Sequence, residues 1–405
     1  MPSSPPRLPK ACRQVLSLDD FEKLARRHLP RPIYAYISGA VEDNQSLAEN
    51  RRAFSDLAFR PRMLVGVAQR YLGFELFGRR YATPVGLAPM GISALSAYRG
   101  DVVLAQAAQQ ANVPAIMSGS SLIRLEEVMA VAPQTWFQAY LPGELAQIHG
   151  LLDRVQGAGV QTLVVTVDTP VAANRENNVR AGFSTPLKPS LSLAWQGLSH
   201  PRWLLGTFLK TLLLHGMPHF ENNYAMRGAP ILSSDVLRDF SDRAHLAWPH
   251  LAAIRKRWPN QLVVKGILTP EDAVHARDHG VDGIIVSNHG GRQLDGAVAP
   301  LRVLPAIARA VPEMPVMLDS GVRRGTDVVK ALALGARCVF VGRPFNYAAS
   351  VAGQGGVAHA IALLHEEISR DMAMLGLTRI ADITSRCIRP VASPTDYFPI
   401  TSNQP

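Results

Sequence analysis

The sequence predicts an α/β protein built as a (β/α)8 TIM barrel, with an N-terminal helical segment and a long insertion after the fourth strand. Three observations lead there. Eight short apolar runs recur from residue 84 onward, the segments between them carry helical periodicity, and run after run ends in a polar residue or a glycine. Alternating strand and helix signals indicate a parallel sheet, and eight repeats close one. No G-x-G-x-x-G follows the first run, which argues against an open doubly wound sheet.

The elements follow in order. Residues 1–12 are Pro-rich and are expected to be disordered. Ser17 reads as the N-cap of a helix that puts Leu18, Phe21, Leu24 and Ala25 on one face. The stretch Leu29 to Ala40 holds Tyr34 and Tyr36 near Gly39, and spacing alone does not choose between the two. The barrel core is expected over 84–345, within a single domain of 1–405. Its strands are Pro84 to Ala88, Pro114 to Met117, Thr135 to Ala139, Thr162 to Val167, Leu262 to Lys265, Gly283 to Val286, Pro315 to Leu318 and Arg337 to Val341. Intervening helices show in Leu104, Ala107, Ala108 and Ala111, and again in Leu301, Leu304, Ile307 and Ala308.

One connection breaks the rhythm. About a hundred residues separate the fourth and fifth strands, with the insertion placed at 176–240, and excursions of that length serve as lids or docking segments. Within it, Pro201 to His215 combines Trp203, Phe208 and several leucines with Arg202, Lys210 and His215. That run is too short to cross a bilayer. It suits either a helix lying in a membrane interface or one packed on the barrel or a subunit.

Composition narrows the function. The net charge is +10, but the 42 Lys and Arg are scattered and aromatic residues make up only 7%, so a nucleic-acid-binding role is excluded. Cys12, Cys338 and Cys387 have no metal-ligand spacing and an odd total, so neither a metal site nor a disulfide framework is indicated. The first residues lack the apolar core of a signal peptide, which sets the expectation of a cytoplasmic protein.

Chemistry gathers where barrels keep it, at the carboxyl ends of the strands. Strand one ends in Pro89, Met90 and Gly91, strand two at Ser118, strand three at Gln138 and Tyr140, and strand four at Thr166 and Asp168. Strand five ends at Lys265, and strand six supplies Ser287, His289 and Arg292, a base and a guanidinium on one Gly-rich loop. After strands seven and eight come Asp319, Ser320, Gly321 and Arg323, then Gly342 and Arg343, with a helix starting near Gly325. Glycines, arginines and a helix terminus in that place read as a phosphate site. A lysine at a buried strand end needs an anion or an electron-rich ring beside it. A flavin mononucleotide meets both conditions.

From Leu29 to about Ile380 the chain resembles the FMN-dependent L-2-hydroxy acid oxidase and dehydrogenase family, which includes glycolate oxidase, lactate oxidase, membrane-bound mandelate dehydrogenase and flavocytochrome-type lactate dehydrogenases. The motif Ser287-Asn288-His289-Gly290-Gly291-Arg292-Gln293-Leu294-Asp295 is highly specific for that family. Ala88-Pro89, Trp136 to Tyr140, Thr166 to Pro170, Val264-Lys265-Gly266, Leu318 to Gly325 and Gly342-Arg343-Pro344 support it. The resemblance implies FMN as cofactor and oxidation of an L-2-hydroxy acid to the 2-keto acid. It makes His289 the general base and Asp168 the group that stabilises its imidazolium. Arg292 is then the carboxylate clamp, helped by Tyr36 and Tyr140, with Arg175 closing over the site. Lys265 takes a place beside the flavin ring, and Met90 and Gly91 face it with backbone. Ser118, Gln138, Thr166 and Ser287 bind the isoalloxazine or ribityl chain, and Asp319, Gly321, Arg323, Gly342 and Arg343 the ribityl and phosphate end.

Ser120 stands where several relatives carry an aromatic residue, and Gly91 is also small. A wider pocket favours lactate or an aryl hydroxy acid such as mandelate over glycolate. The insertion resembles the membrane-docking segment of the mandelate dehydrogenase branch. That implies peripheral contact with the inner face of the cytoplasmic membrane and a quinone or cytochrome as electron acceptor, with oxygen the alternative. Relatives are often tetramers, so a homo-oligomer is expected. Two competing readings are a flavin barrel of another reaction class, such as an isomerase, and a non-catalytic FMN-binding module. Neither explains why Tyr36, Tyr140, Asp168, His289 and Arg292 all stand together.

Overall fold

The computed structural model describes residues 8–141, 143–233 and 243–391. Eight parallel strands form its centre: β1 (Val85–Leu87), β2 (Ile116–Ser118), β3 (Trp136–Ala139), β4 (Thr162–Thr166), β5 (Gln261–Ile267), β6 (Gly283–Val286), β7 (Val316–Leu318) and β8 (Val339–Val341). Each pairs with its sequence neighbour, and β8 pairs with β1. A bridge between Leu87 and Ala115, with the Leu87 amide donating to the Pro114 carbonyl at 2.9 Å, joins β1 to β2 and closes the barrel. All eight strands stand where the apolar runs place them, because strands buried on both faces must be apolar throughout. Inside, Trp136 meets Phe340 and Phe77 with ring centroids 5.6 Å apart in each case, so the amino-terminal end is plugged by packed rings. Phe77 comes from the turn of a small hairpin, Phe74–Leu76 with Arg79–Tyr81.

Two N-terminal helices lead into the barrel, α1 (Leu18–His28) and α2 (Arg31–Ser38). Ser17 and Asp20 form a capping box at the start of α1, whose Leu18, Phe21 and Ala25 are buried. The long C-terminal helix Arg343–Met374, bent at Ala352 and Gly353, packs along α1. Residues 1–7 and 392–405 lie outside the described residues. The disorder expected through residue 12 does not extend that far: Lys10–Cys12 is a helical turn, and Cys12 is fully buried among apolar side chains, which fixes the turn.

The insertion is described up to residue 233, and 234–240 of the expected range lie outside. It holds the helices Glu176–Arg180 and Leu191–Leu198, then a continuous helical run from Pro201 to His215 with a π-turn over Leu204–Leu209. Trp203 points inward, donating from Nε1 to the Leu95 carbonyl at 2.7 Å, whereas Leu205, Leu213 and Leu214 are exposed. One face of this run therefore packs on the barrel, and the other is apolar and open. No helix among the described residues is long and apolar enough to cross a membrane.

Candidate active site

The carboxyl ends of the strands surround a cavity of about 540 Å³. His289 follows β6 in left-handed backbone (φ 57°), with its amide on Ser287 Oγ at 3.0 Å. Such strained positions concentrate at functional sites. Its Nδ1 lies 2.7 Å from Asp168 Oδ1, beyond β4, and Tyr140 Oη lies 3.5 Å from its Nε2. Asp168 can come so close to β5 because residue 266 is a glycine with φ 114°; a Cβ there would sit 2.7 Å from the Asp168 Cβ. Burial pulls the His289 imidazole below its ordinary 6.5, and Lys265 adds to this while Asp168 opposes it. For Asp168 burial acts upward, but His289 and Lys265 outweigh it and hold the carboxyl below its usual range.

Lys265 lies near the carboxyl end of β5 and is buried. Its Nζ donates to Ser287 Oγ at 2.9 Å and lies 3.3 Å from Asp319 Oδ2 and 3.8 Å from Asp168 Oδ2. Burial works against its charge, and the two carboxylates more than offset it, so the ammonium is held above its ordinary range. Asp319, expected at the ribityl and phosphate end, lines the cavity and pairs there with Lys265.

Arginines gather beside the His289 loop. Arg292 donates to the carbonyls of Tyr36 (2.8 Å) and Gly39 (2.9 Å), and its guanidinium lies 5.0 Å from the Tyr36 ring centroid. Tyr36 rather than Tyr34 lines the cavity; Tyr34 donates to Glu22 outside it. Arg175 reaches the Arg292 carbonyl and Gln293 Oε1. Burial first, then Arg175 and Arg343, push the Arg292 guanidinium down to about 9, the mark of a positive cluster that an anion would relieve.

The phosphate end differs from expectation in one respect. At the helix starting at Gly325 three amides are already taken, because Gly325 N donates to Glu367 Oε2 and the amides of Arg323 and Arg324 donate to Asp327 Oδ2. Acidic side chains have taken the positive end of that helix. The next helix is open: no side chain caps the start of Arg343–Met374 at Gly342, which lines the cavity beside Arg323 and Arg343. Arg343 also donates to the carbonyls of Ile37, Gly39 and Gly290, tying α2 to the barrel.

The residues fit a flavin nucleotide. Deep in the barrel, Gln138 Nε2 and Thr166 Oγ1 are buried with no hydrogen-bond partner, while Ser118 Oγ donates to Gln138 Oε1 at 3.1 Å. Buried polar atoms of this kind call for a partner with amide-like edges. Pro89, Met90, Gly91, Ser320 and Gly321 complete the lining. Ser118 lies behind Gln138, Ser287 beside Lys265 and Asp168 behind His289.

A model of the FMN-dependent dehydrogenase family matches residues 25–390. The chain belongs to the FMN-dependent dehydrogenase family. An L-lactate dehydrogenase of Yersinia pestis (strain Pestoides F) is 39% identical over 369 residues, covering 90% of this chain and 95% of that protein. Among solved structures, the monotopic membrane protein (S)-mandelate dehydrogenase superposes with a TM-score of 0.86 at 34% identity, over 94% of this chain and all of that one. A mandelate oxidase follows with a TM-score of 0.77 at 33% identity, over 94% and 99%.

Some residues of the dehydrogenase's site carried no signal in the sequence. Arg243 lines the cavity with its guanidinium 4.1 Å from the Tyr140 ring centroid, and Phe183 stacks near Tyr36 at 4.7 Å. Neither sits in a periodic run or a turn motif. Asn288 and Asp295 lay in the motif without a role. Asn288 exchanges side-chain hydrogen bonds with Asn50 at 2.8 Å, and Asp295 accepts from the amides of Asp43, Gln45 and Ser46, so both dock the N-terminal segment on the site.

Proposed function

We propose that this FMN-dependent dehydrogenase oxidises an L-2-hydroxy acid, L-lactate or an aryl acid such as L-mandelate, to its 2-keto acid. The observation that carries the reading is a buried His289 braced by Asp168 and set beside the part-buried arginines Arg292 and Arg175, which can receive a carboxylate. Asp168 holds the proton on Nδ1, which leaves Nε2 as the basic nitrogen. Nε2 takes a proton from the substrate, and Asp168 then stabilises the imidazolium. Arg292, with Arg175 beside it, receives the carboxylate as a charge-assisted pair and so fixes which substrate atoms face His289. Tyr140 and Tyr36 hydrogen-bond the carboxylate or the developing ketone. Bound FMN supplies the two-electron oxidant, held by Lys265, Gln138, Thr166 and Ser287 along its ring and by Arg323, Gly342 and Arg343 at its phosphate. Anaerobic addition of L-lactate or L-mandelate is expected to bleach the flavin absorption of the purified enzyme, and a flavin that stays oxidised with every 2-hydroxy acid overturns the reading. Ser120 and Gly91 leave room beside the site, so glycolate should have a lower kcat/KM than L-lactate or L-mandelate.

The same proposal gives the insertion a membrane face on the inner side of the cytoplasmic membrane. Leu191, Trp195, Leu198, Leu205, Leu213 and Leu214 are exposed on consecutive helices, with Arg202 and Lys210 among them. That pairing of apolar and cationic side chains suits a helix lying in the interface. Electrons then pass to a membrane quinone or cytochrome in preference to oxygen. The double substitution Leu213→Glu and Leu214→Glu should lower binding to phospholipid vesicles by about tenfold or more, since each buried leucine contributes roughly 1.5–3 kcal/mol. Unchanged flotation with vesicles would remove this face from consideration. A homo-oligomer would cover a second exposed apolar strip, Met63, Leu64 and Val65.

A further inference from the structure

A second cavity, of about 430 Å³, adjoins the first through three shared chain segments. Ile92 lines the first and Ala94 the second; Ser120 and Leu122 divide in the same way, as do Phe220 and Glu221. Two residues of chain span at most about 7 Å, so the partition is thin. The far wall is the end of the insertion's helical run, Thr211 and His215 followed by Met217 and Pro218. Leu213 and Leu214 are exposed on that same turn, which sets the cavity beside the proposed membrane face.

The lining shows what kind of molecule fits. Its charges are already matched: Arg99 with Glu127 at 2.9 Å, Arg227 with Glu221 at 2.8 Å, and Arg154 with Glu126 at 2.8 Å. Arg154 spends its remaining donors on the Glu221 and Tyr224 carbonyls and on Asn222. Arg124 shares Glu126 at 3.5 Å. A set so nearly balanced is a poor host for an anion and a good one for a neutral molecule with a polar head. Ala94, Leu122, Ile123, Met217 and Pro218 offer apolar surface for a ring and its chain. His215 Nε2 lies 3.0 Å from Tyr98 Oη, a pair able to pass a proton into the cavity.

We infer that this second cavity is the electron-acceptor site and that its ligand is a membrane quinone. The inference rests on the oxidation proposed above and locates where its electrons leave. Oxidation of the hydroxy acid releases two electrons and two protons. The quinone would take up these electrons across the thin partition, together with two protons, and depart as the hydroquinone. The sum is hydroxy acid plus quinone giving keto acid plus hydroquinone.

The test separates the two half-reactions in the FMN-loaded enzyme. Ala225→Trp fills the cavity from an exposed position, and His215→Gln removes the imidazole while keeping a polar side chain. Flavin is reduced with hydroxy acid, or with dithionite if no hydroxy acid bleaches it, and is then mixed with a short-chain alkyl benzoquinone. Reoxidation by the quinone should slow about tenfold or more in Ala225→Trp, with weaker equilibrium binding of the same quinone, because filling a site removes its ligand's packing. Reduction by hydroxy acid should stay at the wild-type rate in both variants. Wild-type reoxidation in both variants, or the lack of saturable quinone binding to the wild type, overturns the inference. So does displacement by phosphatidylglycerol vesicles with no response to quinone, which would give the cavity to a lipid headgroup. Failure of every hydroxy acid to bleach the wild type sinks the preceding proposal instead, and the dithionite arm still reads this one.

Discussion

His289→Gln should cut the rate of anaerobic flavin reduction by about 10² to 10⁴-fold, the range a general base contributes. FMN content should be unchanged, because the proposed role of His289 is proton transfer, and the phosphate is assigned to Arg323, Gly342 and Arg343. The same residue fixes the acid limb of kcat/KM. The proton acceptor must be neutral, and burial, reinforced by Lys265 and opposed by Asp168, places the imidazole below 6.5 in the free enzyme. Activity should therefore persist as pH falls through 6.5 and be lost only beneath it. An acid limb lying above 6.5 would mean that Asp168 dominates burial, and the base would then be charged at neutral pH. Asp168→Asn should move the limb lower still, since it removes the carboxylate that opposes burial, and should also release the Nδ1 proton that keeps Nε2 basic.

The barrel was legible in the sequence because strands buried on both faces leave uninterrupted apolar runs, and the periodicity between them changes to that of a helix. His289, Arg292, Asp168 and Lys265 were legible for a related reason: a charged residue directly after such a run has one place to go, the carboxyl end of the barrel. What escaped reading depends on pairings distant along the chain. Glu367 and Gly325 are 42 residues apart, and nothing local in either announces that a carboxylate closes the helix start that was expected to hold phosphate. Arg343 was legible as a cavity arginine, yet its bonds to Ile37 and Gly39 cross 306 and 304 residues. The buried Cys12 turn was hidden for a different reason, since proline-rich composition speaks for disorder unless a distant apolar surface covers it. In the insertion, composition showed an apolar helix with a tryptophan but could not say which face each side chain takes. The tryptophan turned inward, to the Leu95 carbonyl, and left the leucines outside.

Lys265→Met is expected to be the most destabilising single substitution in the site, by about 3–5 kcal/mol, because it strips the cation from two buried carboxylates. Nζ lies 3.3 Å from Asp319 and 3.8 Å from Asp168, and the lysine side chain is only 4% exposed, so water cannot replace it. Ser287 Oγ, which accepts from Nζ, would also lose its partner. Urea unfolding of the flavin-free protein measures the loss without counting weaker FMN binding, which would add its own linkage term. A merely local packing change predicts a loss near 1 kcal/mol, within reach of an ordinary Lys to Met exchange. The decisive comparison is the double variant Lys265→Met with Asp319→Asn. If the deficit comes from unpaired charge, neutralising Asp319 restores part of the stability that Lys265→Met alone removes, and the two changes are strongly non-additive. Additive losses would mean that the three charges do not act as one cluster, and that Lys265 is held at the end of β5 by burial against a net electrostatic cost.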